Sequence, residues 1–528
     1  MFAQQYELAK TEFQQTLDEL QTVIGDAAHS PTPLHVVEEK VWRLVLGLGR
    51  HAIAQLLAQL EPGDAGERVT LPDGKTVKRL KNLHSREYVS VFGPFTIARY
   101  VYGSREGQKI VCVPLDSHLS LPGHKFSFLL EDWDQMLATE HPFAKVSEFM
   151  ERLLGLRQYV DSLEIMNRRM AKDVDAFRMS QSTPPADEEG EILVVTADGK
   201  GVPIRRPADS PKIVEHEKKP GPKPDRKKIA IVGAVYTIAP YVRTPKQIVE
   251  ELFRDPQKRA KNVKNATKTG KNKKDEFARP RPCHKRVRAC LTYEDERGET
   301  ILGGPTIFGW MADEASARNK GGSKKIVCIM DGQKSLWEWE CAFQGDQDVV
   351  EILDLLHVTP RLWEAAHIFH QPKSRQAKQF VRKRVRKVLC GQTKSVIQGL
   401  RRLSSTRKLR GKKLRSIAKI CNYFETHAHR MRYDEYLARG YPIASGVIEG
   451  TCRHAVKDRL EETGMSWIIE GANSMLDLRT TSINDDWEEF VAFRIAREIE
   501  RLYSDQPSLD DLNKICGDDE NSRCQPPI

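Results

Sequence analysis

The stretch EILVVTADGKG, residues 191–201, carries the first decision about the fold. A short, continuous apolar run closed by a turn dipeptide, here Asp198-Gly199, reads as a buried strand. Further runs of the same kind follow. KKIAIVGAVYTIAP (227–240) and VRACLTYE (287–294) give a second and a third strand. KKIVCIMDGQKSLW (324–337) gives a fourth, ending in Asp331 before Gly332, with a helix after it. DVVEILDLLHV (348–358) gives a fifth, with a helix from Pro360. Three strands in series, then two strand–helix units, predict an α/β layer built on one mixed five-stranded sheet. A long basic helical region over 372–437 and further helices from Tyr441 to about Tyr503 complete this half.

Working outward, SQSTPPADEEG (180–190) is a Pro/Ser/acidic linker. Ahead of it the chain changes character. Residues 1–66 read as helices, ended by Gly63 and Gly66. Residues 67–125 read as a β-rich, ribbon-like region with hairpin signals at Asp73-Gly74 and Gly93-Pro94. In 126–180 two amphipathic helices meet near Gly155, the spacing of a helix-turn-helix or of a plain helical hairpin. The expected divisions are thus 1–66, 67–125, 126–180, 190–371, 372–437, 438–505 and a tail, 506–528.

Composition narrows the function. At 39% hydrophobic residues, the 528-residue chain can bury a core, so global disorder is excluded. No apolar run reaches the ~18 residues of a membrane span, and the polar start MFAQQYELAKTEF has no signal-peptide core. Ten scattered cysteines fit a reducing, cytoplasmic setting. The net charge of +11 is unevenly spread. Residues 371–420 hold eighteen Lys/Arg and no Asp or Glu, and residues 251–290 hold fourteen basic against four acidic residues. Such segregation points to a phosphate backbone as partner. Lys383, Arg384, Arg386, Lys387, Arg401 and Arg402 are the expected DNA contacts within the first window.

Asp198 and Asp331 each end a strand. If those strands pair in parallel, about 4.8 Å apart, the two carboxylates meet. Adjacent carboxylates repel, and hard divalent cations relieve that repulsion. A third acid, Glu449, opens a helix in YPIASGVIEGTCRHAVKDRLEETGMSW (441–467), with Arg453 and Lys457 expected on its face at spacings of four and eight.

Asp198 in VVTADGKG, Asp331 in IMDGQKSLW, Asp354-Leu-Leu-His357, Glu449 in SGVIEGTCRHAVKDR and the stretch WIIEGANSMLDLRT (467–480) together resemble a DDE transposase. The similarity is to bacterial insertion-sequence transposases of the ISKra group, related to Mutator-like transposases, and covers about 191–500. The resemblance implies a ribonuclease-H-like catalytic domain with an all-helical insertion, plus an N-terminal α+β DNA-binding region. It implies Asp198, Asp331 and Glu449 as catalytic and metal-holding acids, with Asp354, His357, Arg453 and Lys457 in support. Two Mg²⁺ ions, with Mn²⁺ as substitute, would drive strand cleavage and strand transfer. Its partners would be terminal inverted repeats and target DNA, bound by a homo-oligomer in the bacterial cytoplasm at the nucleoid, with no membrane. A rival alignment takes Asp354 as the second acid. A nuclease or resolvase without strand transfer, or a domesticated DNA-binding protein with a dead site, are the other readings. The family's zinc ribbon is not expected, since Cys112 is the one cysteine between Glu61 and Pro122.

Overall fold

The computed structural model describes residues 2–60, 62–104, 110–205, 227–254, 279–295, 297–343, 349–462 and 464–506. Most of the Pro/Lys-rich loop (206–226), the basic stretch 255–278 and the tail from 507 lie outside these residues. The chain divides into two units, Met1–Phe177 with Asp486–Ile528, and Arg178–Asp485.

The first unit opens with a hairpin of long helices, α1 (Phe2–His29) and α2 (Leu34–Gln59). Two small sheets follow. One is β1 (Arg68–Thr70), β2 (Thr76–Arg79) and β5 (Tyr102–Gly103); the other is the hairpin of β3 (His84–Ser90) and β4 (Gly93–Arg99). After α3 (Pro114–His118) come α4 (Phe128–Glu140), α5 (Phe143–Leu154) and α6 (Val160–Ala171), which pack on one another. Ser127 caps α4 by accepting from the Leu130 N–H, and Gly155 ends α5 at φ 70°, a left-handed position that suits glycine. The helix-turn-helix spacing is therefore present. The charges of α6 nearly cancel, however: Arg168 pairs with Glu164, and Arg169 pairs with the buried Glu131.

The last described helix, α19 (Trp487–Tyr503), belongs to this first unit, which corrects the expected catalytic segment 438–505. Its apolar face needs a partner and finds α4 and the helix α7 (Val174–Ser180). Trp487 Nε1 donates to Asp132 at 2.7 Å, and Phe490 meets Phe177 at 5.5 Å between ring centroids. Arg494, 2% exposed, pairs with the fully buried Glu131 at 2.7 Å.

The second unit is built on the sheet β12–β11–β6–β7–β8, made of β6 (Ile192–Pro203), β7 (Lys227–Ile238), β8 (Cys283–Leu291), β11 (Lys325–Met330) and β12 (Val349–Leu353). β6, β7 and β8 are antiparallel neighbours, while β11 lies parallel to both β6 and β12. The short hairpin β9 (Tyr293–Glu294) and β10 (Thr300–Ile301) leads into α9 (Gly303–Arg318). The mixed five-stranded sheet expected from the apolar runs is present.

Side-chain alternation sorts each strand between two cores. Leu193, Val195 and Ala197 join Cys328 and Met330 under Ile307, Phe308 and Met311 of α9. Ile192 and Val194 join Val327, Ile329 and Ile352 on the opposite face. Helices cover that second face: α8 (Pro245–Leu252), α11 (Leu355–Phe369), α12 (Arg375–Leu389), α13 (Thr393–Thr406), α14 (Gly411–Thr426) and α15 (Tyr433–Ala438). The basic helical region is thus a layer sharing the sheet's core. Phe380, Val385, Leu400, Ile417 and Phe424 point inward, and seventeen of the eighteen cations in 371–420 are exposed. The short α10 (Lys334–Trp339) follows β11. The helix after β12 begins at Leu355 rather than Pro360, because Asp354 caps it by accepting from the Leu356 N–H. Pro360 is carried inside that helix.

Candidate active site

The register of β6 against β11 ends with Ala197 opposite Met330, so Asp198 and Asp331 stand next to each other. β6 does not end at Asp198-Gly199 as expected, because its pairing with β7 carries it on to Pro203. Parity sends both toward the face covered by the basic helices. They follow the series Ile192, Val194 and Val327, Ile329 of that core. Burial lifts the Asp198 carboxyl above the usual range. The Gly199 N–H, donating at 2.7 Å, opposes this, and the charge of Asp331 pushes it further up. Asp331 is fixed by its turn. One carboxylate oxygen accepts from the Gln333 N–H at 2.8 Å, and its carbonyl accepts from Trp337 Nε1 at 2.6 Å. The Trp337 ring lies 3.9 Å from the Arg430 guanidinium, which pairs with Glu351 on β12.

Glu449 arrives from the far end of the sequence on α16 (Gly446–Cys452), which packs against β6 and β7. Its carboxylate is about half exposed, and one oxygen stands 3.8 Å from His357 Nε2. Asp354, fully buried, joins the two segments. It caps α11, accepts from the Ser445 hydroxyl, and lies beside the bond from the Leu355 N–H to the Ile443 carbonyl, 3.0 Å. Burial raises its pKa, while the Ser445 and Leu356 donors hold it down. One ligand-type atom each from Asp354, His357 and Glu449 lies within 4.8 Å of the others. The Cys452 thiol is buried beside Asp198. Burial, then the charges of Asp198 and Glu449, push its pKa up.

The helical layer reaches the same place. A Cβ on Gly332 would overlap the Tyr423 ring of α14, so that phenol lies directly on the backbone after Asp331. Burial pushes Tyr423 up to about 12, with the Asp331 charge adding to it. Arg361 of α11 sits 5.1 Å from the same ring. His427 is pushed below its ordinary pKa by burial and by Arg430. The sequence reading missed Tyr423, Trp337, Ser445 and Cys452. Only the small residue after Asp331 hinted that something packs there.

Arg453 and Lys457 do not join Glu449. Arg453 stays one α-turn after Glu449, its N–H bonded to the Glu449 carbonyl, while the π-helical turn Arg453–Lys457, with more residues per turn, shifts Lys457 out of the expected spacing. Arg453 pairs with Asp458 at 3.3 Å instead. A three-residue helix, α17 (Asp458–Leu460), follows, and then α18 (Ile469–Ile483). Trp467 between them is packed: its indole donates to the Leu460 carbonyl at 3.1 Å, and the Arg459 guanidinium lies 5.0 Å from its ring.

Among the expected DNA contacts, Lys383, Arg386, Lys387, Arg401 and Arg402 are exposed. Lys387 donates to Ser395 at 3.3 Å, and Arg401 pairs with Glu425 at 2.7 Å. Arg384 departs from the expectation. Its guanidinium lies 3.3 Å from the Phe380 ring centroid, and burial lowers its pKa to about 10. Among the described residues no helix is long and apolar enough to cross a membrane.

Among the described residues, the donor set close enough to share one divalent cation is Asp354, His357 and Glu449, with the Asp198–Asp331 pair outside that cluster. The pKa of Asp198 is lifted chiefly by burial, and the smaller part that the Asp331 charge adds is a repulsion a cation would relieve. No family profile matches the chain, and no curated protein does either. Among solved structures, the Drosophila P element transposase strand transfer complex aligns with 75% of this chain and 86% of that chain, at 10% identity and a TM-score of 0.24.

Proposed function

We propose that the chain is a DDE-type DNA transposase with a ribonuclease-H-like catalytic unit, acting on the ends of its mobile element. The observation that carries this reading is the meeting of Asp198, where β6 runs past the end of β11, with Asp331 just after β11, and Glu449 nearby on α16. The sheet order, three antiparallel strands followed by two parallel ones, supports it. So does a cationic helical layer on the face toward which the acids point.

In this reading Asp198, Asp331 and Glu449 hold two divalent ions, Mg²⁺ with Mn²⁺ as substitute. The ions supply charge to the attacking and leaving oxygens of an in-line phosphoryl transfer. The chain's own groups do the rest. The Gln333 N–H and the Trp337 indole fix Asp331. Tyr423 covers the backbone beside it and limits water on that side. His357 orients Glu449, and Asp354 sets the start of α11 so that His357 stands there. The preference for Asp331 over Asp354 as second acid rests on position. β11 neighbours β6, whereas Asp354 ends the edge strand and spends its oxygens on Ser445 and Leu356.

The test is cleavage and joining of labelled duplexes carrying the repeats that flank the reading frame, with Mg²⁺ and a target plasmid. Wild type should cut and join. Asp198→Asn, Asp331→Asn and Glu449→Gln should each bind DNA but not cut it. Cutting without joining makes the chain a nuclease. Loss of cutting in Asp354→Asn with retention in Asp331→Asn reverses the choice of second acid.

A further inference from the structure

A second cationic feature lies apart from the carboxylates. α8 and α12 pack side by side and leave between them an open groove of about 650 Å³. Lys246 of α8 and Arg382, Lys383 and Arg386 of α12 line it, with Glu250 as its one lining acid. All four cations are exposed, and none has an ion-pair partner among the described residues. None of Asp198, Asp331, His357 or Glu449 lines it. α8 follows β7, which ends at Ile238 opposite Ile192, the end of β6 away from Asp198.

Four cations against one acid give the groove a net charge of +3. A convex surface lets such charges spread into solvent. Here two helices aim them into one concavity, where their mutual repulsion is larger and a polyanion relieves it. Arg382 and Arg386 stand one helical turn apart, about 6 Å, a span of roughly two phosphates on one strand. Lys246 faces them from the other helix. Capping boxes fix helix starts, and α8 has one: Thr244 accepts from the Gln247 N–H while Gln247 reaches back to the Thr244 N–H. The wall bearing Lys246 is therefore set before any ligand arrives.

We infer that the α8–α12 groove grips one sugar-phosphate backbone of DNA, as an anchor separate from the site of chemistry. This rests on the proposed function for its choice of DNA as the polyanion. It adds α8, a helix outside the basic helical layer, to the DNA-binding surface. The groove holds backbone without reading bases, so its contribution is the same for every sequence.

The experiment is fluorescence anisotropy of the full chain with a labelled duplex of arbitrary sequence, titrated with salt. The groove variant carries Lys246→Gln, Arg382→Gln and Arg386→Gln. A comparison variant carries Lys412→Gln, Lys413→Gln and Arg415→Gln, three exposed cations of α14. Three lost phosphate contacts should flatten the slope of log affinity against log salt by about 2.7 in the groove variant. The comparison variant should flatten it by less than about one. Glu250→Gln, which removes the opposing charge, should tighten binding. Equal slopes for the two triple variants, or a groove variant that matches wild type, overturns the groove while DNA binding by the chain stands. Polyglutamate displacing the duplex from wild type but not from the groove variant makes the partner an acidic protein and overturns it too. A wild-type chain with no affinity for DNA removes the groove and the proposed function together.

Discussion

Replacing Asp198 by Asn should stabilise the metal-free protein, an unusual result for a residue at the centre of a site. Asp198 and Asp331 emerge side by side from strands about 4.8 Å apart, so their carboxylates repel. At an effective dielectric of about 20 and a separation near 5 Å, the repulsion has a ceiling of about 3 kcal/mol. Partial exposure and side-chain relaxation reduce that to roughly 1–2 kcal/mol, a melting shift of a few degrees for a unit of this size. The sign with pH follows from the raised pKa of Asp198. As pH rises from the ordinary aspartate range, the unfolded chain releases its proton first. Stability from this group is therefore lost until the folded carboxyl also ionises. The advantage of Asn should open across that window and be complete at neutral pH. Divalent metal reverses the order: at one hundred times its dissociation constant it stabilises wild type by about 2.7 kcal/mol, and Asp198→Asn should gain far less. The assay is thermal unfolding by circular dichroism at several pH values, with EDTA or with Mg²⁺. A variant less stable than wild type in EDTA at neutral pH, with a wild type that Mg²⁺ does not shift, refutes the reasoning.

Asp134, fully buried on α4 and held by Gln158, has its pKa pushed up to about 8 by burial, with the Glu131 charge adding to it. Its folded value lies above its unfolded one, so the stability of the first unit should fall as pH rises from about 4 to about 8, with a ceiling of about 5 kcal/mol. Asp134→Asn should flatten that dependence, and a variant with the wild-type pH profile in thermal melts contradicts it. Arg384→Gln should cost about 1 kcal/mol of stability through lost packing on Phe380 and leave the salt slope of DNA binding unchanged. Arg386→Gln should do the reverse, flattening the slope by about 0.9 at little cost to stability. Identical salt slopes for the two variants remove the distinction.

The sheet was legible because its strands are apolar runs, though only β11 closes at its Asp-Gly while β6 runs through Asp198-Gly199, and parity along those runs fixes which face each aspartate joins. Glu449 was legible as an acid opening a helix. What surrounds these acids was not. Tyr423 reaches Gly332 from a helix separated in sequence from β11 by four others, and no local pattern marks such a contact. The π-helical turn at Arg453–Lys457 breaks the 3.6-residue period on which the Lys457 expectation relied, and Arg453, still one turn after Glu449, pairs with Asp458. Arg384 counts as a cation in composition, yet only the place of Phe380 one turn earlier reveals it as packing. The amphipathic pattern of α19 shows that it needs a partner without naming which unit supplies one.

That last helix has a consequence for how the protein is made. Residues 178–485 interrupt the first unit, whose buried Glu131 waits for Arg494 and whose Phe177 waits for Phe490. During N-to-C synthesis the earliest-made unit stays open until α19 leaves the ribosome. The second unit must then fold as a guest inside an unfinished host. A nascent or truncated chain ending before Trp487 can assemble its acids while the host unit still lacks its closing helix. A fragment ending at Ser180 would leave Glu131 with Arg169 but without Arg494. The two units are better separated by excising the guest and joining Phe177 to Asp486 through a short linker than by cutting the chain once.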